Sequence, residues 1–366
     1  MAVKHFGTIN PSTDTSTTRT LLHEAIPLTG TIVSGTYHEG TDATNVKDYS
    51  HGMFQSVYDY PYLSSSANHI FDVTVGYSDT SALSSSTAEQ NDKKINVYNM
   101  MAQTLIGYDV SGNIETFESD TSLPGSTTAA LMKEVFFINF ARLITKDQIK
   151  KGSFSISLFT GSHDADVDGI CASALPMPTY TDLSASVTGG TNPNIPSGEY
   201  GLLYRSPFTS SAVGVVFYQL GVVCMTSSVF ASASFADDIG VNSHFTRNNG
   251  NAYGITGSWQ SLPISHSCNE IRRRIANISF NNTTELNSTV YFCRAHTNKW
   301  NYSSNPTYTT GSKIRVKEIA TDSPKSYITT VGLYNASNEL LAVAKLSEPL
   351  KKDPTNEITL RVRLDY

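Results

Sequence analysis

Residues 327–366 read YITTVGLYNASNELLAVAKLSEPLKKDPTNEITLRVRLDY, and this stretch decides the fold class. Apolar and polar side chains alternate from Ile328 to Tyr334, pause over the polar residues Asn335 to Asn338, and resume from Leu340 to Leu346. Two period-two runs flanking a short polar turn are the signature of a β-hairpin. A third alternating run, Ile358 to Leu364, predicts another strand close behind.

The same texture extends upstream. Ile70 to Val75, Lys133 to Arg142, Ser153 to Thr160 and two runs within Val213 to Phe230 read as strands, because β-branched and aromatic residues suit a pleated, half-buried surface. Ile275 to Asn282 and Ser288 to Ala295 read as a hairpin turning across Thr283 to Asn287, and Ser111-Gly112-Asn113 as the turn of a smaller one. One helix stands out. From Lys93 to Ile106 the residues Ile95, Tyr98, Met101, Ala102, Leu105 and Ile106 fall at helical spacing, and Gly107 follows where a C-terminal cap belongs. Ile144 to Lys151 and Glu270 to Ile275 offer short helical turns. The expectation is a mainly β protein, a hairpin-rich sheet or sandwich with one or two short helices. Residues 1–48 read as an N-terminal extended arm, 49–160 and 211–366 as the main β-rich domain, and 161–210 as a loop-rich insertion. Residues 10–20 lack any apolar face, so an arm of this composition is expected to order only against a neighbour.

Charged residues make up 16% of the chain, against about 25% in an average domain; hydroxyl, amide and Tyr side chains fill the gap. That balance fits strands, and it fits surfaces that other subunits cover. A net charge of −6 argues against a nucleic-acid partner, which needs a basic face to displace counterions. The longest apolar stretch, Val213 to Met225, is broken by Gln219 and two glycines and falls short of a membrane span, so no membrane partner is expected. Nothing at the N-terminus resembles an export signal, and four cysteines are too few for a disulfide scaffold of this size.

Motifs for chemistry are weak throughout. Asp164, Asp166 and Asp168 with Gly169 resemble the opening of a calcium loop, but Leu175 stands where a bidentate Glu is required, and a solvated acidic loop explains them better. His266, Cys268, Cys293 and His296 are residue types that bind zinc, yet the H-x-C spacing is atypical, and Cys293 shares a strand face with Tyr291 and Ala295 as a small core residue would. Arg272-Arg273-Arg274, the densest basic run, is best read as pairing with acidic neighbours. Trp300, Tyr302 and Tyr308, set among asparagines, form a candidate sugar-stacking surface; the plainer reading is a fixed loop anchored by its aromatics. No nucleophile elbow, phosphate loop or paired acid/base motif appears, so the expectation is a protein that is not an enzyme and carries no cofactor.

Several separated segments share wording with one group of proteins. They are YSHGMFQSVYDYPYL with SSSANHIFDVTVGYS (49–78), KEVFFINFARLITKDQIKKGSF (133–154), VVFYQLGVVCMTSSVF (215–230), and the final third, where FNNTTELNSTVYFCRAHTNKWNYSSNPTY (280–308) precedes the terminal hairpin. This wording resembles structural proteins of tailed bacteriophage particles, chiefly contractile-tailed ones of the T-even and cyanophage kind. The resemblance implies a virion protein, made in the host cytoplasm, whose partners are copies of itself and other virion structural proteins. It implies a place in the tail, baseplate or neck; capsid decoration and a receptor- or glycan-binding tail component are the alternatives.

Overall fold

The computed structural model describes residues 7–37, 43–109, 111–119, 131–160, 177–182, 195–207, 212–230, 263–303, 309–310, 313–314 and 324–366. In chain order the strands of the first half are β1 (Thr15–Ile26), β2 (Val46–Asp48), β3 (Gln55–Tyr58), β4 (His69–Tyr77), β5 (Glu134–Phe140), β6 (Gln148–Ile149), β7 (Ser155–Leu158) and β8 (Thr179–Thr181). They continue with β9 (Tyr200–Arg205), β10 (Ala212–Phe217), β11 (Val222–Thr226), β12 (Ile275–Ala295), β13 (Thr309–Thr310), β14 (Lys313–Ile314), β15 (Ser326–Tyr334), β16 (Leu340–Lys352) and β17 (Ile358–Asp365). Among the described residues the α-helices are α1 (Asn91–Leu105), α2 (Arg142–Thr145) and α3 (Ile264–Arg274). The protein is therefore mainly β, as its alternating segments require. Hydrogen bonding links β1-β12-β7-β8-β9-β10-β11-β5-β4-β3-β2 into one sheet, with β6 and β17 also paired to β12. The chain forms two compact units, residues 22–284 and residues 1–21 with 285–366.

The first unit, 22–284, holds the core. Its central strand β5 lies between β4 and β11 in antiparallel register, Val73↔Ile138 and Val223↔Ile138. Five of its seven residues, Val135, Phe136, Phe137, Ile138 and Phe140, are buried, because both faces of the sheet are covered here. On one face Phe137 meets Phe117 at 5.4 Å, and Phe117 meets Tyr98 of α1 edge-on at 5.3 Å. On the other, Phe136 packs on Phe230, and Phe140 joins Phe154 and Phe280. Helix α1 lies close over β4 because residue 76 is glycine: a Cβ there would come within 2.9 Å of the Lys94 carbonyl oxygen and the Tyr98 nitrogen. Gly107 takes φ +102° just after the helix, as the capping position demands.

Four sequence expectations in this unit change. The loop-rich insertion 161–210 supplies β8 and β9 to the sheet, with Tyr180, Tyr200, Leu202 and Leu203 buried; residues 161–176, 183–194 and 208–210 lie outside the described residues. The helical turn expected at Ile144–Lys151 is shorter: α2 ends at Thr145, and Gln148–Ile149 pairs with β12 as β6. Conversely, the helical turn at Glu270–Ile275 is the end of an eleven-residue helix, α3, packed on β4 and β3. The largest correction is β12. Residues 275–295 do not turn at Thr283–Asn287 but run on as a single 21-residue strand. That pentapeptide holds no Gly or Pro to supply a reversal, and Asn282 and Thr283 are engaged in register with β6.

In the second unit β17 pairs with the far half of β12, from Ser288↔Asp365 to Ala295↔Ile358, and Asn287 and Tyr366 exchange two backbone hydrogen bonds at its end. β15 and β16 form the expected terminal hairpin. Its register slips between Ile328↔Leu350 and Thr330↔Lys345, leaving Pro349 inside a bulge where no ladder donor is needed. By their contacts, residues 285–366 group with residues 1–21.

Candidate functional site

The candidate metal ligands are not assembled. His266 and Cys268 belong to α3, where Cys268 is buried and its Sγ lies 3.2 Å from the Val73 carbonyl oxygen. Burial pushes that thiol well up from its ordinary value. Cys293 is half-buried on β12, and the exposed His296 pairs instead with Glu357 at 3.2 Å. Among the described residues no group of three or more His, Cys, Asp or Glu side chains could hold a metal. Asp164, Asp166 and Asp168 lie outside the described residues.

The arginine run also has a plain explanation. Arg272 and Arg274 are turned into the core, where Arg272 donates to Asn269 Oδ1 and Arg274 to the Phe159 carbonyl; Arg273 lies 3.5 Å from Glu270. Burial lowers the Arg272 guanidinium to about 10. Arg272 and Arg273 bond within α3, and Arg274 ties its end to the Phe159 carbonyl; with Arg272 and Arg274 buried, the run does not present a phosphate-binding face.

Sequence reasoning missed a polar chain on β3 and β4. Ser56 Oγ donates to Asp72 Oδ1 at 2.5 Å, His69 Nε2 meets the same oxygen at 2.7 Å, and Tyr49 OH lies 3.3 Å from Ser56 Oγ. Tyr58, raised to about 12 by burial and then by its hydrogen bond to Tyr49, completes the chain. The residue types are those of a hydrolytic triad, but the order is wrong. The carboxylate stands between Ser56 and His69, and among the described residues no hydrogen bond joins the serine to the imidazole, as a hydrolytic triad requires. Only the i, i+3 spacing of His69 and Asp72 was visible in sequence; Ser56 joins them through the Ser56↔Asp72 strand register.

The Trp300 loop is held from beneath. The Lys352 ammonium, fully buried, donates to Asn301 Oδ1 at 2.7 Å, to the Asp353 carbonyl at 2.9 Å and to the Thr297 carbonyl at 3.4 Å. Ser326 Oγ donates to the Trp300 carbonyl, and Trp300 takes φ +62°, a left-handed conformation that a tryptophan rarely adopts. Asp353 is held down to about 2 by the Thr355 hydroxyl and the Lys351 ammonium. Among the described residues these polar contacts hold the loop, whereas Trp300 and Tyr302, the aromatics expected to anchor it, are about half exposed. Tyr308 lies outside the described residues.

Among the described residues, two strand surfaces stand out as exposed. Every residue of β1 from Ser16 to Ala25 is exposed, including Leu21 and Leu22, and β1 ends the path of the sheet with β12 as its neighbour. The β15–β16 hairpin has no third strand among the described residues and exposes Tyr327, Tyr334, Leu340, Leu341, Val343 and Leu350. Long open edges and uncovered apolar strand residues are what soluble monomers avoid and what assembling subunits use. Comparison with protein-family models, with curated proteins and with solved structures finds no match.

Proposed function

We propose that the chain is a structural subunit of a tailed-phage particle, assembling through subunit contacts in the tail, baseplate or neck. The observation that carries this reading is the pair of open strand surfaces, β1 and the β15–β16 hairpin, which expose main-chain donors and apolar side chains where a neighbour can bind. The resemblance of separated segments to phage structural proteins supports it. Mass spectrometry of gradient-purified particles tests it. The protein is expected at multiple copies per particle; its recovery only from infected-cell lysate would overturn the proposal. A second reading, glycan binding by a tail component, is favoured by Trp300, whose left-handed backbone and Lys352 support hold an indole towards solvent. A glycan array separates the two, since a purely structural subunit retains no sugar.

A further inference from the structure

The β1 strand is attached to its own chain in an unusual way. It buries no apolar side chain between Ser16 and Ala25, so its attachment is main-chain pairing plus polar contacts. Those contacts carry a pattern. Asp14, Arg19 and Glu24 recur at intervals of five residues with signs minus, plus, minus. The groups that meet them are Arg294, Glu285 and Lys146, with signs plus, minus, plus. Arg294 Nε lies 3.4 Å from Asp14 Oδ1, Lys146 Nζ lies 3.0 Å from Glu24 Oε2, and Arg19 is in contact with Glu285. Between the charges, Thr17 meets Thr289 at 3.3 Å and His23 Nδ1 meets Thr283 Oγ1 at 3.1 Å; the Glu24 backbone N–H donates to Asn282 Oδ1 at 3.2 Å.

A slide of the strand by five residues in either direction would set like charges against each other, so the ladder specifies register without a hydrophobic face. It therefore works equally well on any copy of the same edge. Leaving its own edge gives up little core contact: Ile26, the last residue of the strand, packs partly buried against the core, and the next buried residue, Leu28, lies beyond Pro27.

We propose that β1 is an exchangeable strand, donated in the assembled state to the β12 edge of a second copy of this chain. The proposal rests on the assembly reading above and names its contact: identical, in-register charge pairs made between copies instead of within one. Particle mass spectrometry can succeed while strand exchange fails, so the two ideas fall separately.

The test uses two full-length variants. One reverses the strand (Asp14→Lys, Arg19→Glu, Glu24→Lys) and the other reverses the edge (Lys146→Glu, Glu285→Lys, Arg294→Glu). Each alone meets only like charges, both within a chain and between identical copies. Mixed one to one, the strand of each variant matches the edge of the other. Light scattering and hydrogen exchange over residues 15–26 read the outcome. Expected are separate variants that are monomeric, with β1 exchanging about tenfold faster than in the wild type, and a mixture that forms a two-chain complex with protection restored. A mixture that behaves as the sum of its separate monomers would overturn the proposal, as would a wild-type chain that remains monomeric, with β1 protected, at its highest soluble concentration. If the triple variants do not fold, the single pair Arg19→Glu and Glu285→Arg gives the same comparison with a smaller restoration.

Discussion

Lys94 shows how a single residue can oppose the fold it sits in. Its side chain is fully buried under α1, with Nζ donating to the Glu89 carbonyl at 2.5 Å and lying 5.8 Å from the Tyr77 ring centroid. Burial lowers its pKa to about 8, while the unfolded chain keeps the ordinary value near 10.5. The unfolded state thus binds the proton more tightly. Below pH 8 the fold carries the penalty of a buried ammonium, and stability rises with pH as the group deprotonates above 8. Between pH 8 and 9, below the ionisation of the unfolded chain's phenols near 10, urea midpoints of the wild type are expected to rise. In Lys94→Met that rise is absent, and stability at pH 7 increases by roughly 1–3 kcal/mol. Parallel pH profiles for the two proteins would mean that the ammonium is solvated. Lys352 is a second buried ammonium, with three oxygen acceptors around it. Neither role was legible in KKINV or PLKKD, because paired lysines read as solvated whenever charge is weighed above phase. The phase was there to see: Lys94, Tyr98, Ala102 and Leu105 share the inner face of the helix.

At the scale of elements, α1 follows its sequence closely. Its inner face is buried at Val97, Tyr98, Ala102 and Leu105, against β4 and the Phe117 cluster. Leu105→Ala is expected to cost about 2–5 kcal/mol in chemical denaturation, as truncations of buried leucines do. Gln103→Ala, on the exposed face, is expected to change stability by less than about 0.5 kcal/mol. Equal losses from the two would place the helix in a different phase. The terminal hairpin was equally legible because a local turn sets its register, and Asn335 and Glu339 close that turn. β12 was not, since a continuous strand and two strands joined by a five-residue turn have the same alternation. What separates them is the partners β7, β6 and β17, which are contributed by residues far away in sequence.

Across the molecule, composition and alternation sufficed for the β class, but strand order left no local trace. β5 pairs with β4, about sixty residues earlier, and with β11, about eighty-five residues later, so the central strands close only after long loops have formed. Refolding followed by far-UV circular dichroism is therefore expected on the millisecond-to-second scale typical of sheets dominated by distant pairings. Completion within a millisecond would contradict that topology. The same distance explains why the polar chain from Tyr58 to His69 escaped notice while the Trp300 loop did not. The first is assembled by strand register, whereas the second is a compact run of aromatics and asparagines in the sequence itself.

The tip of the terminal hairpin has a consequence for how this chain can vary. Asn335 and Glu339 bind each other through two backbone–side-chain and side-chain contacts, at 2.8 and 2.6 Å, and Asn338 turns the corner at φ +63°. Every bond that shapes the tip is made inside it, and Ala336 and Ser337 are exposed. Extra residues spliced between Ala336 and Ser337 would disturb five positions and no core side chain. The hairpin tip is where lineages of this protein can lengthen, shorten or carry foreign peptide while the sheet beneath keeps its identity.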